Sequence, residues 1–252
     1  MTAMRILLIA TLVAGSASLA SAETSRMTWK VDGVERRAIV FAPVATGARI
    51  PVVFVFHGAG DTAENFTGVG FHDAWPEALI VYMDGLGRFP GGGGAFQTTD
   101  SSAANRDLRF FDVALADLRQ RYPLDQRRIY ATGFSNGAKL VYLLWATRAS
   151  TFAAFAPVAG MLTAKVPLGE PKPFIHIGGR QDHQNEFTEQ LQSVELGRTA
   201  NAATGAGTSC GTNCTRYSSD KEAPVMTVLH PDGHIWPRDA STLIVKFFRT
   251  YP

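Results

Sequence analysis

Residues 127–138 narrow the choice of fold more than any other stretch of the chain. Ile129-Tyr130-Ala131-Thr132 is rich in residues that favour strands. Leu140 to Trp145 reads as a largely buried helix, bounded by Ser150. Between them stands Gly133-Phe134-Ser135-Asn136-Gly137, a Gly-x-Ser-x-Gly turn. A chain that passes from strand to helix within so few residues must bend sharply, and the glycines leave room where a side chain would clash. Such a turn lifts a serine hydroxyl above the end of a sheet. The plain alternative is an ordinary strand–helix connection that happens to contain a serine.

The rest of the chain supplies what surrounds such a turn. Asp32-Gly33 marks a hairpin within residues 26–41, because Asp-Gly suits a two-residue turn between strands. Pro51 to Phe56 and Ala78 to Met83 are continuous apolar runs, expected of strands buried on both faces. Phe89 to Ala104 is rich in glycine and serine and is expected to be a long, flexible loop on the substrate side, or a surface loop with no role. From Asp107 to Tyr122, Leu108, Phe111, Leu115, Leu118 and Tyr122 share one helical face, and Pro123 ends the helix. Strands are expected at Phe152 to Val158, Pro173 to Ile177 and Val225 to Leu229, with helices at Glu186 to Ala203 and Thr242 to Tyr251. This alternation predicts an α/β fold with a mostly parallel central sheet and helices on both faces. The 252 residues suffice for one such domain, over residues 23–252, with no internal repeat or linker.

Residues 1–22 are set apart from that domain. Arg5 gives a positive start, Ile6 to Ala14 a short apolar core, and Ala20-Ser21-Ala22 a small-residue cleavage site. The apolar stretch is too short to cross about 30 Å of hydrocarbon, so it reads as a signal peptide and not an anchor. The chain after Glu23 is expected to be exported, to the periplasm or beyond. Losing Arg5 lowers the formal charge from +2 to +1 and leaves no basic cluster for nucleic acid. Cys210 and Cys214 are the only cysteines; in an exported chain a close pair reads as a disulfide, and no matching ligands make them a metal site.

A serine hydroxyl needs a base to remove its proton, and that base needs a partner to fix its tautomer. In this architecture the chain order is serine, acid, histidine, each at a strand end. Asp182 follows the strand at Pro173 to Ile177, and His234 follows the strand at Val225 to Leu229. Glu186 and Asp220 are alternative acids, while Asp232 lies too near His234 in sequence. His176, His72 and His57 read as packing, surface or loop-shaping residues. An oxyanion formed at the serine would need two backbone donors. The N–H of Asn136 is one, and that of Ala59 in His57-Gly58-Ala59-Gly60 is the other. Trp236 either lines an acyl pocket or supports the histidine loop.

Over residues 30–250 the chain resembles the esterase family of feruloyl esterases, acetylxylan esterases and polyhydroxybutyrate depolymerases. The matching pieces are His57 to Gly60, Tyr130 to Gly137, Phe152 to Gly160, and Gly233-His234-Ile235-Trp236-Pro237. The chain departs from the family where Ala138 replaces a usual glycine, and where Asp182 follows Gly178-Gly179-Arg180-Gln181. The resemblance implies an α/β-hydrolase fold and ester hydrolysis through an acyl-enzyme, without cofactor or metal, on a small-molecule or oligosaccharide ester. Feruloyl or acetyl esters of plant cell-wall polysaccharides are the first expectation and polyhydroxybutyrate-type polyesters the second. A non-catalytic binding protein on the same scaffold is the alternative outside enzymes.

Overall fold

The computed structural model describes residues 23–44, 47–87 and 92–252, so the signal peptide expected at residues 1–22 lies outside the described residues. The strands are β1 (Glu23–Val31), β2 (Val34–Ala42), β3 (Ile50–Phe56), β4 (Leu79–Met83), β5 (Leu86–Gly87), β6 (Gly94–Ala95), β7 (Leu124–Phe134), β8 (Ala154–Val158), β9 (Phe174–Gly179), β10 (Thr208–Gly211), β11 (Cys214–Tyr217) and β12 (Val225–His230). The helices are α1 (Ala63–Phe66), α2 (Phe71–Ala74), α3 (Arg106–Arg121), α4 (Asn136–Arg148), α5 (Phe187–Ala200) and α6 (Ala240–Phe248).

Among the described residues, ten strands form one sheet in the order β1-β2-β4-β3-β7-β8-β9-β12-β11-β10. From β4 to β12 every pairing is parallel. Both edges are closed by antiparallel pairs. All of β3 is buried, and its alternate residues feed two apolar layers. Val52, Phe54 and Phe56 pack with Phe111 of α3 and Trp145 of α4, whereas Val53 and Val55 pack with Phe71 of α2 and Phe248 of α6. Each such side chain contributes roughly 1.5–3 kcal/mol by leaving water. This two-sided burial makes the strands continuous apolar runs in the sequence, and it holds their ends rigid.

The elements follow from local chemistry. Asp32 and Gly33 both have positive φ, at 52° and 81°, as the tight turn between β1 and β2 requires. Asn105 caps α3, its side-chain oxygen accepting from the N–H groups of Asp107 and Leu108. The helix stops at Tyr122, which is extended ahead of Pro123. Buried Arg36 of β2 pairs with buried Asp107 at 2.6 Å, and the second carboxylate oxygen of Asp107 accepts from the N–H of Gln97. Breaking this pair would leave a buried charge alone, at a cost of roughly 3–5 kcal/mol.

Three features differ from the sequence reading. The described part of the Phe89 to Ala104 segment is tied down, not flexible: β6 pairs with β5, and Asn105 Nδ2 donates to the carbonyls of Gln97 and Asp100. Its polar residues bond inward to the backbone, which composition does not reveal. The β10–β11 hairpin lies in a stretch to which the sequence reading assigns no element, because these short strands, exposed in β10 and half-buried in β11, carry no apolar alternation. The helices α1 and α2, each of four residues, are too short to show a period.

Candidate active site

The turn at Ser135 is strained and crowded. Ser135 has φ 54° and ψ −112°, a positive φ that a residue with a side chain adopts only when its surroundings enforce it. Its N–H donates to the Val158 carbonyl at 2.9 Å, locking the turn to β8. A Cβ on Gly137 would lie 2.2 Å from the Phe56 carbonyl oxygen, and one on Gly133 would lie 2.8 Å from it. The two glycines therefore let α4 start directly against β3. Ala138, the departure from the family pattern, sits 2.6 Å from where a Cβ on Gly160 would stand, so glycine at 160 makes room for it.

Asp182 follows β9 and His234 follows β12, the neighbouring strand. His234 Nδ1 lies 2.7 Å from Asp182 Oδ2. Asp182 is 1% exposed, and each of its oxygens accepts two hydrogen bonds. Oδ1 takes the N–H groups of Gln184 and Asn185, both at 3.0 Å, and Oδ2 takes His234 and the Gln190 amide at 2.9 Å. Burial pushes the carboxyl up, but His234 and these backbone donors outweigh it and hold it below the usual carboxylate range. The group is thus a fixed anion facing an imidazole N–H.

Ser135 reaches this pair through two neighbours. Asn185, whose N–H bonds Asp182, places its side-chain Nδ2 at 2.7 Å from the Ala159 carbonyl and at a long 3.4 Å from Ser135 Oγ. The Phe134 ring lies against the His234 imidazole, with centroids 4.7 Å apart. Among the described residues no hydrogen bond joins Ser135 Oγ to His234. Such bonds are often formed only once substrate closes the site.

The loop after β3 runs alongside the serine. A Cβ on Gly58 would stand 3.6 Å from Ser135 Cβ. Among the described residues, neither the N–H of Ala59 nor that of Asn136 is engaged in a hydrogen bond. The His57 ring is buried, and its Nε2 accepts from the Gly85 N–H at 2.9 Å. The proton must then sit on Nδ1, which donates to the Gly58 carbonyl at 2.7 Å. His57 shapes this loop. The Asn136 side chain bonds both backbone groups of Phe96, tying the segment that precedes α3 to the serine turn.

The other candidates separate cleanly. Glu186 is exposed at the start of α5, and exposed Asp220 lies before β12, at the far end of the sheet. His72 stacks on Phe41 and bonds the Tyr82 hydroxyl. Trp236 packs edge-on against Phe66 and Phe71 and reaches Phe134, the residue that backs His234. Cys210 and Cys214 are bonded across the turn between β10 and β11, far from the serine in the sheet order. A cavity of about 860 Å³ opens at the opposite ends of the strands, lined in part by Arg127, Lys172, Arg216 and Lys221, and holds none of the three residues. Asn185, Gln190 and Phe134 are the neighbours that sequence reasoning missed. The one signal was proximity to Asp182 and Ser135.

His176 is fully buried in β9, and burial pushes its pKa down from 6.5 to about 4. The unfolded chain binds that proton near 6.5 and the folded one only near 4. Stability is therefore full above about pH 6.5 and falls on acidification, by about 3 kcal/mol at pH 4. Asp182, also lowered, adds stability that is full above the ordinary carboxylate value and is lost as pH falls from there through its own lowered value. Thermal unfolding followed from pH 7 to pH 4 should show the loss; a flat midpoint across this window contradicts a buried neutral His176.

A parallel sheet with helices on both faces, and a strained serine turn beside an aspartate–histidine pair at its strand ends, define an α/β-hydrolase fold. No family model matches the chain. In sequence it is similar to a bifunctional acetylxylan esterase/xylanase, XynS20E, of Neocallimastix patriciarum, 27% identical over 151 residues. That match takes in 60% of this chain and only 22% of that longer protein. In structure it is similar to an acetyl xylan esterase from Aspergillus awamori, with TM-score 0.73, 12% identity and coverage of 90% of this chain and 99% of that one. A ferulic acid esterase of Anaeromyces mucronatus, solved with ferulic acid, aligns with TM-score 0.61 and 15% identity over 94% of this chain and 93% of that one.

Proposed function

We propose that this chain is an exported serine esterase that hydrolyses carboxylic esters through an acyl-enzyme. The observation that carries the reading is the 2.7 Å contact between His234 Nδ1 and Asp182 Oδ2 at the strand ends beside Ser135. In the proposed reaction His234 Nε2 takes the Ser135 proton as Oγ attacks the ester carbonyl. The oxyanion accepts from the N–H groups of Ala59 and Asn136. The imidazolium then protonates the departing alcohol, and water repeats the sequence to release the acid. Neutral imidazole is the working form, so hydrolysis falls at acid pH while Asp182 stays ionised.

The substrates we propose are feruloyl or acetyl esters of plant cell-wall polysaccharides or their oligosaccharides. Support comes from the named relatives, an acetylxylan esterase by sequence and acetyl xylan and ferulic acid esterases by fold. Export rests on the expected signal at residues 1–22 and fits the Cys210–Cys214 bond, which persists in an oxidising compartment.

A panel of acetylated and feruloylated oligosaccharides beside simple chromogenic esters tests the substrate class. Turnover of the oligosaccharide esters above the simple ones supports it; hydrolysis of peptides or amides alone contradicts it. In the same panel Trp236→Ala should lower feruloyl turnover more than acetyl turnover if the ring meets the acyl group. Equal loss on both assigns Trp236 to support of the His234 loop through Phe134.

A further inference from the structure

Behind Asp182 runs a line of buried polar side chains that the proposed reaction does not use. Gln190 of α5 donates from Nε2 to Asp182 Oδ2 at 2.9 Å and to the Asn185 carbonyl at 2.7 Å. Its Oε1 lies 3.1 Å from His176 Nε2, and His176 Nδ1 lies 3.0 Å from the Tyr142 hydroxyl. Gln190, His176 and Tyr142 are all fully buried. Three adjacent elements, α4, β9 and α5, each contribute one member.

The polarity of every link follows from the ends. A carboxylate and a carbonyl only accept, so the Gln190 amide must turn its NH₂ toward Asp182 and Asn185. Its oxygen then faces His176 and requires Nε2 to carry a proton. The imidazole is neutral, because burial holds it so. Its Nδ1 therefore accepts, and the Tyr142 hydroxyl donates. Asp182 and Asn185 thus fix the Gln190 orientation, which fixes the His176 tautomer, and the Tyr142 hydroxyl completes the line by donating to Nδ1. Reversed, the amide would set its oxygen against the Asp182 anion.

The backbone is built around this contact. A Cβ on Gly178 would stand 2.8 Å from Gln190 Oε1 and 3.0 Å from His176 Nε2, so the Gln190–His176 junction exists only because residue 178 has no side chain. Asp182 is held on its other oxygen by a loop, through the N–H groups of Gln184 and Asn185. Among the described residues, Gln190 alone grips the oxygen that faces His234 besides His234 itself.

From this geometry we infer that Gln190, braced from behind by His176 and Tyr142, is a positioning residue for Asp182. It fixes the oxygen that orients His234, and it shares that oxygen's charge. The inference rests on the reading of Ser135, Asp182 and His234 as the reacting set. Of the other titratable groups, His234 bonds the anion directly and Lys139 feels both Asp182 and Glu189.

The experiment compares wild type with Gln190→Leu, Tyr142→Phe and Ser135→Ala on p-nitrophenyl acetate. Hydrogen bonds to charged groups of this kind correspond to about 10- to 100-fold, so Gln190→Leu should lower kcat by on the order of tenfold or more with KM nearly unchanged. With one donor fewer, Asp182 holds the imidazolium more firmly, so the acid limb of kcat/KM should move to higher pH. The downfield proton resonance of His234 Nδ1–H should shift with it. Tyr142→Phe, the milder change, should move the same readouts in the same direction, and it decides the matter if Gln190→Leu does not fold. Unmoved kcat, acid limb and resonance in the folded variants, with Ser135→Ala inactive, overturn the inference and leave the esterase reading standing. Activity retained in Ser135→Ala overturns the reading itself and the inference with it.

Discussion

Ser135→Ala should reduce ester hydrolysis by on the order of 10⁵- to 10⁶-fold while leaving the fold intact, as loss of the serine does where nucleophile and base act as a unit. The fold should survive because nothing that shapes the turn depends on the hydroxyl. The Ser135 N–H still donates to Val158, and Gly133 and Gly137 still clear the Phe56 carbonyl. Alanine at φ 54° is about as strained as serine there, so the strain is unchanged. Among the described residues, the one hydrogen bond to the hydroxyl that is removed is the 3.4 Å approach of Asn185 Nδ2, which keeps its shorter bond to the Ala159 carbonyl. Circular dichroism and thermal unfolding should match wild type. Hydrolysis within tenfold of wild type in a pure sample would contradict a serine mechanism.

Asp182→Asn should cost about 10⁴ in turnover with the fold retained. The direction follows from the four bonds on the carboxylate. Two backbone N–H groups, from Gln184 and Asn185, point at Oδ1 and will keep the one remaining oxygen. The new NH₂ then replaces Oδ2, facing His234 Nδ1 and the Gln190 amide, both of them donors. His234 can accept from it only by moving its own proton to Nε2, the nitrogen that must receive the Ser135 proton. Glu186→Gln, at an exposed residue, should change turnover little. A larger loss from Glu186→Gln than from Asp182→Asn would overturn the assignment.

The parts of the fold legible in the sequence are those buried on both faces. β3, β4, β8 and β9 show as continuous apolar runs because two layers of side chains cover them. The Asp32-Gly33 turn is legible because few residue pairs tolerate positive φ twice in succession. The β10–β11 hairpin is not legible, since it is exposed and gains its partners from β12 at the sheet edge, a long-range pairing. At the site, Ser135 stands out because its strained turn demands glycine neighbours, and His234 because it follows the last strand beside Gly233. Asp182 could be placed by chain order, but no local pattern separates it from Glu186; burial does. Gln190 and His176 are illegible for the same reason. A glutamine in a helix and a histidine in a strand acquire their roles only when α5 packs on β9 and brings the two to 3.1 Å.

The central claim is that Ser135 Oγ is the nucleophile, activated by His234. Incubation with a fluorophosphonate, followed by intact mass and peptide mapping, tests it most directly, because an activated serine displaces fluoride and keeps the phosphonyl group. The account predicts a single adduct per chain, on Ser135, formed in wild type, much slower in Asp182→Asn and absent in Ser135→Ala. An unlabelled wild-type protein, or an adduct on another residue with Ser135 unmodified, would contradict it.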